Sequence, residues 1–342
     1  MVELFFNHKN AIFWPNTYFT VEMPNKNKYI QFCQTQSLPL QMQYWWLDLV
    51  CGLDNWDVAL SIDKEDKING ALPYYLTQKW GQSIIKMPPF TDYIGPWIRL
   101  PISKKMKPDR IYSIENQIIR NLIDELPKTT LFTQQFYPDF ENWLPFYWNN
   151  YRQTTYYTYV LNDLSDMDQV YHNLKGSVRT DIKKAQQLVF IEEGEDIDIM
   201  IRLYQLSFQR QGLVFMANTQ VLKNLDQALQ SRNQRKIFFA KDLKTNVVHA
   251  AVYLVWDNNR AYFLFSGADP VYKESAAINW LYWHAISAIA PQVDSIDFCG
   301  SILPNVEHVF RSYGAIRKPH FRIYKAKNKW VRLFALLFNK DY

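Results

Sequence analysis

Three strand-type segments in close succession, residues 236–240, 247–256 and 260–265, restrict what this chain can fold into. Together they are rich in β-branched and aromatic residues, and short polar stretches separate them. The loop Ser266-Gly267-Ala268-Asp269-Pro270 follows, and then a segment at 273–290 with Ile278, Leu281, Ala285, Ile286 and Ile289 at helical spacing. Pro291 ends that segment, and 295–298 reads as one more strand. A meander that runs into a βαβ step predicts a mixed sheet with helices on its faces. Ligands of such sheets bind in the crevice at the strand ends.

The rest of the second half has helical patterns at 166–174, 178–188, 199–209 and 219–230, then a helix at 304–312 and a strand at 320–326. The first half has a similar grammar on a smaller scale. Residues 58–62 and 68–76 flank a charged turn and predict a hairpin. A proline-aromatic loop at 87–97 precedes an amphipathic helix at 111–126, marked by Ile111, Ile114, Ile118, Leu122 and Leu126. Short strands at 130–136 and 156–161 follow. Pro15, Pro24 and Pro39 predict irregular structure before residue 50.

The 342 residues, 48% hydrophobic, suffice for one large or two ordinary domains. No apolar run is long enough for a bilayer span, and the N-terminus lacks the pattern of a signal peptide. Cys33, Cys51 and Cys299 are far apart, which suits a reducing compartment and no disulfide frame. The expected location is the cytoplasm. A net charge of +5 is compatible with anionic substrates and far short of a DNA-binding signature. The six histidines lack metal-ligand spacing, so no metal is expected.

Several segments carry a resemblance. Residues 176–185, with Arg179, Ile182, Lys184 and Ala185, resemble the R-x-x-I-x-K-A helix of Fem-like proteins and of CelD-like acetyltransferase domains. Asp297-Phe298-Cys299-Gly300, followed by Phe310-Arg311-Ser312-Tyr313-Gly314-Ala315, is similar to their closing D-F-G-G and F-K-x-x-F-G-A pattern. Phe265-Ser266-Gly267-Ala268 with 277–286 resembles their strand-to-helix core, and Phe90-Thr91-Asp92-Tyr93-Ile94-Gly95-Pro96 their aromatic Gly-Pro loop. The match runs over about residues 56–326. It implies the GNAT superfamily and an α/β (α+β) fold of two tandem acyltransferase units, each a mostly antiparallel sheet flanked by helices. Residues 1–150 would form the scaffold and acceptor side, and 151–342 the donor side. It also implies an acyl-CoA or an aminoacyl-tRNA as donor. The tRNA-handling arm of Fem-like proteins has no counterpart of comparable length at 199–230.

Within that frame the loop after residue 265 is the donor site. Ser266, Gly267, Ala268 and Ser275 would surround the phosphates at a helix N-terminus, and Lys273 would add a charge. Against this, Glu274 repels an anion, and the coenzyme-A signature Q/R-x-x-G-x-G/A is incomplete, with Gly267 alone in place. Amide formation needs positioning and removal of a proton. Asp92 is the candidate base, with Lys273 the second catalytic candidate; Phe90, Tyr93, Trp97 and Arg179 are acceptor-binding candidates. Asp297 is a further carboxylate candidate, though alternation with Ile296 and Phe298 also fits a solvated or turn-capping side chain. Ser301 lacks a G-x-S-x-G context and a histidine partner, and His284 fits a core position.

The expected activity is transfer of an acyl or aminoacyl group onto an amine of a cell-envelope or small-molecule acceptor. The alternative is a degenerate, non-catalytic module that binds envelope sugars or peptides, which an aromatic content of 16% would suit. A basic amphipathic segment at 330–338 offers at most peripheral membrane contact.

Overall fold

A computed structural model describes residues 24–79, 81–101, 106–212, 214–300, 304–328 and 331. The segment at 330–338 and Ser301 therefore fall outside the described residues, apart from Val331.

The described residues begin with two helices, α1 (Pro24–Thr35) and α2 (Tyr44–Cys51), where irregular structure is expected around Pro24 and Pro39; Pro15 lies outside the described residues. Pro24 breaks nothing because it is the first helical residue, where its missing N–H costs no bond. α2, Tyr-Trp-Trp-Leu-Asp-Leu-Val-Cys, is short and apolar around most of its circumference, so it shows no periodicity. Then come β1 (Trp56–Ile62), β2 (Ile68–Lys79), β3 (Gln82–Lys86), β4 (Trp97–Ile98), α3 (Pro108–Asp124), β5 (Leu131–Gln135) and α4 (Leu144–Trp148). The second half runs β6 (Arg152–Asn162), α5 (Met167–Asn173), α6 (Gly176–Ala185), β7 (Val189–Gly194), α7 (Ile197–Arg210) and α8 (Thr219–Ser231). It ends with β8 (Arg235–Asp242), β9 (Val248–Trp256), β10 (Arg260–Ala268), α9 (Ala277–Ile289), β11 (Ser295–Asp297), α10 (Pro304–Arg311) and β12 (Ile316–Ala326). The helix expected from residue 273 begins later, because residues 270–275 form a 3-10 turn kinked at Tyr272.

One sheet takes in every strand of the described residues, in the order β1-β2-β3-β5-β12-β6-β11-β10-β9-β8-β7, with β4 on β2. All pairings are antiparallel except β3 with β5 and β10 with β11. Each exception is a βαβ step, bridged by α3 and by α9. β12, from the far end of the chain, lies between β5 and β6 and ties the two halves together.

Helices α5, α6 and α9 cover one face of the second half, and α3 covers the first half. On the opposite face a single core joins α1 and α2 to α7, α8 and the loop at 88–96. The pair α7 and α8 thus lies on the sheet. Within this core Arg235 Nε meets Asp226 at 3.0 Å, and Tyr253 donates to the same carboxylate at 2.7 Å, all three being buried. Removing one partner of a buried ion pair strands the other charge. Asp226→Ala should therefore cost about 3–5 kcal/mol in denaturant unfolding, and a cost below ~1 kcal/mol would show that Arg235 finds water instead.

Candidate active site

β11 is three residues long. It pairs with β10 only at Arg260, Ala261 and Tyr262, and with β6 only at Asn162, Leu161 and Val160. β10 continues to Ala268 with β9 on one edge and, among the described residues, no strand partner on the other. A gap between β10 and β6 therefore opens where β11 ends, at Asp297 and Cys299.

The proline-aromatic loop closes this gap, and Gln41 holds the loop. The Gln41 side chain is fully buried; its Oε1 accepts from the Asp92 and Tyr93 backbone N–H groups at 2.9 and 3.0 Å, and its Nε2 donates to Asp92 Oδ2 at 2.9 Å. Trp46 Nε1 donates to Thr91 at 2.9 Å, and the Ile94 N–H reaches the Gln135 carbonyl at 2.8 Å. Phe90, at φ +56°, sets its ring edge-on against Phe265 of β10, and Phe265 contacts Tyr204 of α7.

Three groups meet under this loop. Asp92 is partly exposed, and burial of its carboxylate, with Asp297 nearby, raises its pKa to about 6. The Cys299 thiol reaches the Asp297 carbonyl at 4.0 Å, and burial together with the Asp92 and Asp297 carboxylates raises its pKa. Asp297 is wholly buried rather than solvated, because Tyr93, itself packed on Tyr137, lies over the face that alternation assigns to solvent. Its Oδ1 accepts from Thr158 Oγ1 at 2.5 Å, the Cys299 N–H at 2.8 Å and Tyr93 Oη at 3.4 Å, whereas Oδ2 has no partner. Burial raises the pKa of Asp297 too, against the pull of Arg260 and its own hydrogen bonds. The Arg260 guanidinium is engaged by Asp139 at 3.1 Å and Ser295 at 3.2 Å. Beneath Tyr93 lies His320, buried, with burial lowering its pKa to about 4.

The other sequence candidates lie in varied settings. Trp97 packs edge-on against Phe32 of α1, 5.0 Å between centroids. Arg179 donates to the His172 and Leu174 carbonyls at 2.6 Å each, which closes the end of α5. Ser266 accepts from Tyr282 Oη at 2.8 Å. Ser275 donates to the Tyr272 carbonyl at 2.7 Å and accepts from the Ala277 N–H at 3.4 Å. Lys273 is largely exposed, and Glu274 lies 4.0 Å from both it and Lys184. Ala268 pairs with Ala250 on β9, and Gly267 with Ala251. A Cβ on Gly267 would come within 2.4 Å of the Leu203 carbonyl, so this glycine allows α7 to lie against β10. Gln41, Thr158, Tyr204 and Cys299 had not been singled out as site residues. For Cys299 the signal was present, since it stands where the resembling pattern has glycine. A cleft of about 680 Å³ beside Met167 and Pro291 is separate, at the opposite end of β11.

Among the described residues no group of three or more His, Cys, Asp or Glu side chains could hold a metal ion, and no helix is long and apolar enough to cross a membrane.

Residues 172–304 match a family model described as an acetyltransferase (GNAT) domain. This stretch runs from α5 to the start of α10 and includes β10, β11, Asp297 and Cys299, but not β6, Gln41 or Asp92. No curated protein matches the chain in sequence. Among solved structures, FemX is 9% identical with a TM-score of 0.60, over 92% of this chain and 98% of that one. L-PGS from Bacillus licheniformis is 10% identical with a TM-score of 0.50, over 91% and 95%. The C-terminal domain of a putative lysylphosphatidylglycerol synthetase from Agrobacterium fabrum is 11% identical with a TM-score of 0.50, over 92% and 95%. At these identities the likeness is one of fold. Residues 172–304 thus resemble a GNAT-type acetyltransferase domain, and they lie within a larger sheet built by both halves of the chain.

Two stability measurements follow. Gly267→Ala should cost about 1–3 kcal/mol through overpacking against α7; an unchanged Tm would mean a looser contact there. The Asp92 pKa lies above its ordinary 3.8, so folding penalises the charged form. That penalty is absent below about pH 4, grows as pH rises to about 6, and is complete above it. Asp92→Asn, which keeps the Gln41 contacts, should therefore stabilise at pH 7. The full shift corresponds to roughly 3 kcal/mol, and partial solvent screening reduces the expected gain to about 1–2 kcal/mol. A gain of the same size at pH 4 would contradict this origin.

Proposed function

We propose that the protein is an N-acyltransferase that moves an acyl or aminoacyl group from an activated donor, acyl-CoA or aminoacyl-tRNA, onto an amine of a cell-envelope or small-molecule acceptor. The observation that carries this reading is Asp92. It is a carboxylate oriented by a buried Gln41, partly open to solvent, and set at the gap between β10 and β6 within a GNAT-type frame. With a pKa of about 6 it is mostly ionised at neutral pH and basic enough to accept a proton from an attacking amine. A base poised near the working pH is what such a transfer needs, because the amine must lose a proton as its nitrogen acquires the acyl carbon.

On this reading the donor's acyl group enters the gap and its remainder lies along the loop at 266–275, with Lys273 as an exposed positive charge. Ser266 and Ser275 hold the loop's shape, while Gly267 and Ala268 keep the strand slim where it passes α7. The acceptor approaches over Phe90, Tyr93 and Trp97. Arg179 supports the helix end behind the donor side. We assign residues 1–150 to the scaffold and acceptor side and 151–342 to the donor side. α7 and α8 pack on the sheet instead of projecting as an arm, which favours a donor bound by the domain itself. The cytoplasm, where both donor types are made, is the assigned location.

Steady-state kinetics with acyl-CoA and aminoacyl-tRNA donors test this reading. kcat/KM should fall on the acid side with an apparent pKa near 6. Asp92→Asn should lose about 10²–10⁴-fold in kcat and flatten that limb. Lys273→Ala should raise the donor KM with little change in kcat. Full activity in Asp92→Asn would remove the base from this residue.

A further inference from the structure

We infer that His249 is a positioning residue that sets the shape of the donor loop and makes donor binding depend on the charge of its own ring. The inference rests on the reading that places the donor along residues 266–275.

His249 occupies an irregular position in β9. Ala250 pairs with Ala240 and Val248 with Lys241, so His249 is an extra residue between two consecutive rungs of the ladder with β8. Such a bulge re-aims a side chain out of the ordinary alternation. Val248 accordingly packs in the core with α7 and α8, and Ala250, two residues on, in the core with α9 on the opposite face. The imidazole between them lies flat on the Tyr272 ring, with 4.1 Å between centroids and 5° between planes. Tyr272 is the residue at which the turn at 270–275 kinks, with φ −106° and ψ 20°. The His249 backbone holds the same turn at its start, because its carbonyl accepts from the Asp269 N–H at 2.8 Å. Asp269 then takes the Tyr272 N–H on its carbonyl at 3.0 Å and the Val271 N–H on its carboxylate at 3.0 Å. One residue thus fixes both the start and the kink of the loop that bears Lys273 and Ser275.

Stacking alone does not call for a histidine. The side chain is 5% exposed, and neither ring nitrogen has a hydrogen-bond partner among the described residues. A phenylalanine would stack without stranding two polar atoms, so the nitrogens point to a role for the ring's charge. Two carboxylates face it. Asp242, at the end of β8, brings Oδ2 to 3.5 Å from Nε2, without the alignment of a hydrogen bond. Its Oδ1 accepts from the Lys244 and Thr245 N–H groups at 2.9 Å each, which holds its pKa down and its charge in place. Asp269, at the start of the turn, lies 3.5 Å from Arg202 of α7. Burial lowers the pKa of His249 below its ordinary 6.5, against the pull of both carboxylates. The stacked ring is therefore neutral at neutral pH. The stacked loop keeps its full stability above about pH 6.5 and loses it as the pH falls, because the buried ring refuses the proton that a free one accepts. A ring that does take the proton has to leave Tyr272 and turn to Asp242, where its charge is paired.

Donor affinity measured by titration calorimetry from about pH 5.5 to about pH 8 tests this. Acetyl-CoA, a long-chain acyl-CoA and aminoacyl-tRNA are the probes, and the one that binds the wild-type protein is carried into the variants. Its Kd should rise about tenfold toward the acid end. His249→Phe keeps the stack and removes the unpaired nitrogens, so it should fold at least as stably, match the wild-type Kd at the alkaline end and show no acid rise. His249→Ala and Tyr272→Ala remove the stack and should raise the donor KM about tenfold with kcat changed by less than about twofold. An acid rise in His249→Phe equal to that of the wild type, or an unchanged donor KM in His249→Ala, would overturn the inference and leave the donor site standing. Wild-type protein that binds none of the three donors at any pH would overturn the donor reading itself, and this inference with it.

Discussion

Everything at the candidate site depends on how short β11 is. A longer strand would continue the ladder between β10 and β6 and fill the sheet with hydrogen bonds. Because pairing stops at Asp297, β10 from Phe263 onward has no strand partner on that side among the described residues, and a space opens in the middle of the sheet. The crossover that creates this geometry is right for a parallel pair, since α9 has to carry the chain back over the sheet before β11 can begin. The first half then supplies what the second half lacks. Its loop at 88–96, pinned by Gln41, Trp46 and Gln135, brings Asp92 to the opening.

The same place is where stability is given up. Two carboxylates with raised pKa values lie under one loop, and the guanidinium that could neutralise Asp297 is turned to Asp139 and Ser295. A left-handed cysteine adds strain beside them. None of these features helps the fold, and an apolar core at this point would be more stable. Their coincidence at a gap in the sheet is what marks this place as the proposed site of acyl transfer.

Much of the architecture was legible in the sequence because the second half is strongly patterned. β8, β9 and β10 are buried along nearly their whole length and read as continuous β-branched and aromatic runs, and α9 shows a buried stripe at helical spacing. α1 and α2 were not legible. Pro24 looks like a breaker until its position at a helix start is known, and Tyr-Trp-Trp-Leu-Asp-Leu-Val-Cys has too few polar residues to show a face. The site was half legible. Asp92 stood out in its aromatic loop, but Asp297 looked equally suited to solvent. Alternation identifies the face a residue takes, whereas only tertiary packing decides whether that face is wet. Here Tyr93, distant in sequence, covers it. Gln41 gave no local signal, since its three bonds all go to residues about 50 positions further along the chain. Arg179 and Ser275 read as ligand contacts because their chemistry suits phosphate, yet each also satisfies the ends of helices, and the structure gives them those partners.

The most direct measurement is thermal unfolding of the protein with increasing acetyl-CoA, a longer acyl-CoA or aminoacyl-tRNA. A donor that occupies the gap binds the folded chain alone. At about a hundred times its dissociation constant it should stabilise by roughly 2.7 kcal/mol, with a Tm that climbs steadily with concentration. A Tm unmoved by all three donors would contradict a donor site at the end of β11 and leave the sheet's gap as a binding place for some other class of ligand.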